Sequence, residues 1–93
     1  MNTRSEDIPV MLDCLQELFN EYGDEVTPTL LVERMESKLH RHMQMQSVVH
    51  QYASLGFFTK RNNAMQKYCI IVDLELLAER RSQFYKGDKG KLN

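Results

Sequence analysis

Apolar residues recur at helical spacing through the first third of the chain. Ile8, Met11, Leu12, Leu15, Leu18, Phe19 and Tyr22 make one stripe, with Asp13, Gln16, Glu17, Asn20 and Glu21 outside it. The spacing predicts a helix capped by Asp7 and closed by Gly23, with Pro9 in its first turn, where a missing N–H loses no partner. Glu25-Val26-Thr27 is expected to add a short edge strand to a later hairpin. A second helix restarts at Thr27-Pro28, buries Leu30, Leu31, Val32 and Met35, and ends near Ser37-Lys38. A third is expected from about His40 to Leu55, burying Met45, Val48, Val49, Tyr52 and Leu55. Gly56 stops it in the left-handed conformation that only glycine enters freely. The period then changes. Residues 57–61 and 67–72 are aromatic and β-branched, and Asn62-Asn63-Ala64-Met65 between them suits a hairpin loop. Asp73 caps a last helix with Leu74, Leu77, Ala78 and Phe84 inside.

These elements fill one domain, residues 7–85, between a flexible N-terminus (1–6) and a tail (86–93) expected to be disordered because it lacks apolar periodicity. The longest apolar runs are too short to span a bilayer, and MNTRSEDIPV lacks the layout of a signal peptide, so a cytoplasmic protein without membrane contact is expected. Cys14 and Cys69 sit in apolar patterns without a close-spaced partner and read as small buried hydrophobes. Net charge is −1, which taken alone argues against a polyanion partner. Its distribution argues the other way. Residues 1–36 set nine carboxylates against Arg4 and Arg34, whereas 37–72 carry Lys38, Arg41, Lys60, Arg61, Lys67 and all three histidines without one acid.

The third helix thus has an outer side of Arg, His, Gln and Ser, and the hairpin after it is tipped with Lys, Arg and Asn. That is the chemistry of a nucleic-acid reader. A metal site does not follow from His40, His42 and His50, because residues two apart on a helix point to different sides and neither cysteine falls beside them. No nucleophile elbow or phosphate-cradling glycine loop is present, so no catalytic residue, enzyme activity or cofactor is expected.

With the order helix, extended piece, helix, turn, helix, hairpin, helix in place, the chain resembles the winged helix-turn-helix superfamily. VTPTLLVERM corresponds to the first helix of the motif, HRHMQMQSVVHQYASLGFF to the recognition helix and TKRNNAMQKYCIIV to the wing; YASLGFFTKR is the most telling junction. The turn after Met35 departs from many members in having no glycine. The resemblance implies an α+β, mostly helical fold: a three-helix core, a β-hairpin wing and an extra C-terminal helix. It also implies double-stranded DNA as partner, with the recognition helix in the major groove and the wing on the backbone. The base-reading residues would be Arg41, His42, Gln44, Gln46, Ser47, His50 and Gln51; Lys38, Lys60, Arg61, Asn62, Asn63 and Lys67 would meet phosphate. The role implied is a small transcriptional regulator, a repressor, or a mobile-element accessory factor. A homodimer is expected because so small a reader needs two half-sites. The reading from another class is a protein-binding subunit or adaptor of a larger assembly, docking through the acidic first helix.

Overall fold

The computed structural model describes the backbone of residues 5–62, 64, 65 and 68–92, with side-chain placement up to Gln83. Among these residues it is α+β and mostly helical. A 3-10 turn, Ser5–Asp7, leads into α1 (Ile8–Tyr22); β1 (Glu25–Val26), α2 (Pro28–Leu39), α3 (Met45–Ser54), β2 (Thr59–Asn62), β3 (Tyr68–Ile71) and α4 (Leu74–Leu92) follow. No described helix is long and apolar enough to cross a membrane.

The three strands form one antiparallel sheet in the order β1-β3-β2, so the expected edge strand does join the hairpin. Val26 pairs with Ile70, and Lys60 and Asn62 pair with Ile70 and Tyr68. Alternation along the strands then puts Val26, Ile70, Tyr68, Lys60 and Asn62 on one face of the sheet, and Glu25, Cys69, Ile71, Thr59 and Arg61 on the other. Val26 and Ile70 close the core from below; the same face runs outward through Tyr68 and Lys60 until it meets solvent beside α3.

The core is the apolar stripe of each helix. Met11, Leu12, Leu15 and Leu18 of α1, Leu31 and Met35 of α2, Val48, Val49 and Tyr52 of α3, and Leu77 of α4 are buried together with Phe58 and Val72. Thr27 caps α2 as expected, accepting the Leu30 N–H at 3.3 Å, and Asp73 caps α4 by accepting from Glu75 and Leu76. Cys14 and Cys69 are buried free thiols; the Cys69 Sγ–H donates to the Arg61 carbonyl at 3.0 Å.

Several expectations need correction. Asp7 makes no side-chain cap to α1; it is buried to 1% exposure because its carboxylate is taken by Arg41. The third helix begins at Met45 rather than at His40. His40 to Gln44 form the turn between α2 and α3, and His40 adopts φ +57° there, the position a glycine would have filled. Met43, in this turn, is buried, and its N–H donates to the Glu36 carboxylate at 2.8 Å. Leu55, expected inside, is 52% exposed. The helix has ended at Ser54, and Gly56 (φ +86°) turns the chain so that Phe58 is buried and Phe57 packs edge-on to Tyr52 in its place. The buried phase of α3 rests on Val48, Val49 and Tyr52. Leu74 and Ala78 lie exposed, so among the expected positions whose side chains are described only Leu77 is buried in α4; the Phe84 side chain lies outside the described ones. That helix continues past Tyr85, since a glycine costs a helix about 1 kcal/mol without forbidding it.

Candidate nucleic-acid interface

Burial of Val48, Val49 and Tyr52 fixes how α3 is rotated. Gln46, Ser47, His50, Gln51 and Ser54 are left on its outer side. All five are uncharged or neutral-capable hydrogen-bonding groups. Gln46, His50 and Ser54 are exposed, while Ser47 and Gln51 are half-buried; the Ser47 hydroxyl donates to the Gln44 amide at 3.1 Å across the first turn. No carboxylate interrupts this surface.

The cations expected around it behave differently. Arg41 is in the turn, not on the helix, and its guanidinium is folded onto buried Asp7, with a second contact of 3.3 Å from Nη1 to Oδ1. Those hydrogen bonds raise its pKa above the ordinary arginine value. Lys38 Nζ lies 2.5 Å from Glu17 Oε2, and its pKa is likewise raised by that contact. His42, also in the turn, sits with Nδ1 3.1 Å from the Glu36 carboxylate while remaining 89% exposed. Gln44 is the exposed residue that precedes α3. On β2, Arg61 belongs to the far face of the sheet and reaches toward Glu25 at 3.7 Å. Lys60 and Asn62 belong to the α3 side. Asn63 and Lys67 lie outside the described residues.

The carboxylates of α1 therefore meet cations in space that come from the acid-rich segment itself, from the acid-free segment and from the last helix alike. Glu17 bridges Lys38 and Arg34, Glu21 takes the other fork of Arg34 at 2.9 Å, and Asp13 takes Arg81 at 2.8 Å. Linear charge runs could not reveal this, because the partners are separated by many residues and meet only when α1 packs on α2 and α4.

What the fold brings together instead is a groove of about 410 Å³ between the start of α3 and the hairpin, lined by Pro28, Met45, Gln46, Val49, His50, Lys60 and Tyr68. Gln46, His50 and Lys60 were expected in the interface; Met45 and Tyr68 were not. Met45 opens to solvent because it starts the helix, where no preceding turn covers it, and the Thr29 hydroxyl meets its Sδ at 3.6 Å. Tyr68 is signalled by strand alternation, since it shares a face with Lys60, whose ammonium lies 5.8 Å from the Tyr68 ring centre. Among the described residues, no three His, Cys, Asp or Glu side chains converge as metal ligands would. Family models, curated proteins and solved structures were all compared with this chain, and none matches it.

Proposed function

We propose that the chain is a winged helix-turn-helix domain that binds double-stranded DNA, with α3 as recognition helix and β2–β3 as wing. The observation that carries this reading is the outer side of α3. Gln46, Ser47, His50, Gln51 and Ser54 form a continuous acid-free surface of donors and acceptors, flanked by Lys60 and Asn62. Such groups pair with base edges, glutamine with adenine in particular, while a lysine on the wing holds phosphate. The role is non-catalytic: a cytoplasmic regulator or mobile-element accessory factor, working as a homodimer on paired half-sites.

The internal ion pairs make the reading more specific. With Lys38 and Arg41 held by Glu17 and Asp7, few cations among the described residues are left for phosphate, and binding depends on base contacts and on pairing of copies more than on charge. Titration of random-sequence and selected duplexes at two salt concentrations tests it. Selected sites should win clearly and the salt dependence should be shallow. The protein-adaptor reading draws support from the same spent cations. Its proposed surface is spent too, because Asp13, Glu17 and Glu21 of α1 already face Arg81, Lys38 and Arg34.

A further inference from the structure

The groove beside α3 has a composition that reading a duplex does not require. Bases in a duplex show their edges to a protein and hide their faces by stacking. Hydrogen-bonding side chains suffice for edges, and α3 has them. The groove adds a half-exposed tyrosine, a half-exposed methionine and a floor of Val49 and Pro28, at 41% exposure for Tyr68 and 40% for Met45. Its volume of about 410 Å³ lies within the range of sites that enclose a whole small molecule. No acid lines it, and Lys60 stands at its rim.

We propose that this groove takes one unpaired nucleotide of a nucleic-acid strand, with the base against Tyr68 and Met45 and its phosphate at Lys60. The inference rests on the nucleic-acid reading above and extends it from duplex to a strand end, bulge or single strand. The chemistry is complementary at each point. An aromatic ring accepts any base by its face, and a thioether adapts to the edge of a flat ring. Gln46 brings an amide with both donor and acceptor to the rim, able to meet a base edge. The Lys60 ammonium lies over the Tyr68 ring at 5.8 Å on a flexible stem, so a base laid on that face displaces it toward the rim, within reach of the nucleotide's own phosphate. The scarcity of other cations on this side among the described residues gives stacking a share of the affinity that phosphate contacts do not supply.

The test uses the whole chain and three fluorescent probes: a short blunt duplex, the same duplex with a thymidine overhang, and single-stranded oligothymidine. The overhang should improve binding about tenfold over the blunt end, the scale of one base–aromatic contact. Tyr68→Ala should remove that gain, bringing overhang binding down to the blunt-duplex level of the same variant; Tyr68→Phe should keep it; Met45→Glu, at an exposed position, should abolish it independently. Equal binding of blunt and overhang probes overturns the inference and leaves the duplex reading intact. A gain that survives in Tyr68→Ala also overturns it, since the base would then lie elsewhere. Oligothymidine binding without blunt-duplex binding supports the inference and removes the duplex reading. Failure of all three probes removes both.

Discussion

The two central helices use their outer surfaces in opposite ways. On α2, Arg34 and Lys38 are committed to Glu17 and Glu21 of α1, and in the turn beyond it Arg41 is committed to Asp7. On α3 the outer side holds no Lys, Arg, Asp or Glu at all. A charged surface next to an opposite charge becomes internal structure. An uncharged polar surface keeps its hydrogen-bonding capacity for another molecule. In this chain the residues that looked most like DNA contacts by charge are the ones the fold consumes. Those left for recognition on α3 are Gln, Ser and His, with Lys60 beside them.

Breaking the structural half should have the largest effect. Arg41→Ala leaves the Asp7 carboxylate, 1% exposed, without its cation. Removing one partner of a pair whose other member is buried strands a charge, so this should be the most destabilising of the single changes. Urea denaturation should show it directly. Replacing both residues, as Asp7→Asn with Arg41→Met, should cost clearly less than the single change, because no buried charge is then stranded. If Arg41→Ala keeps full stability and weakens only DNA binding, the arginine belongs with α3 after all.

The next effect concerns what lies under both helices. Burial pushes the Cys14 thiol up to about 11 and the Tyr52 hydroxyl up to about 12. Both groups hold their proton more tightly folded than unfolded. Their contribution is therefore complete below about pH 9, where the unfolded thiol begins to ionise, and is lost as pH rises toward 11 and 12. About 2–3 kcal/mol should disappear by pH 11 through Cys14. A stability curve measured against pH should fall less steeply between pH 9 and 11 in Cys14→Ala, with the Tyr52 contribution remaining at the upper end. An unchanged slope would mean that the thiol is not shielded.

A smaller effect tests the neutral half. Gln46→Ala and His50→Ala should each cost about 1–3 kcal/mol on a preferred duplex and little on scrambled sequence. Neither should alter stability, as both side chains are exposed. Equal losses on both duplexes would show that α3 holds DNA without reading it.

How far this was legible in the sequence depends on the range of the interaction. The apolar stripes of α1 and α2, the caps at Thr27 and Asp73, the stop at Gly56 and the short strand at Val26 are local patterns that stand where spacing put them, whereas Tyr22, Met45, Leu55 and Leu74 at helix ends were expected inside and are exposed. The start of α3 was misjudged because a left-handed histidine did the work expected of a glycine. Leu55 was misjudged because periodicity extends past a helix end that only the following turn defines. The charge balance failed for a deeper reason. The contacts Asp7–Arg41 and Glu17–Lys38 join residues 34 and 21 apart, and no run or period along the chain encodes them. The groove was half legible: helix phase shows Gln46 and His50, while Tyr68 joins them only through hairpin register.

The smallest effect gives the sharpest separation. Lys38, Lys60 and Arg61 were all expected on phosphate, yet Lys38 lies 2.5 Å from Glu17 and Arg61 is on the far face of the sheet toward Glu25. Lys60 alone of these three shares the face that opens beside α3. Each phosphate neutralised contributes about 0.9 to the slope of log affinity against log salt. Lys60→Ala should therefore reduce that slope by about one, with less than a tenfold loss at moderate salt. Lys38→Ala and Arg61→Ala should leave it unchanged; as partly exposed ion pairs, their loss should cost stability about 0–1 kcal/mol at most. A slope that falls equally for all three would mean that DNA pulls these cations out of their internal pairs. The division between a structural α2 and a reading α3 would then hold only in the free protein.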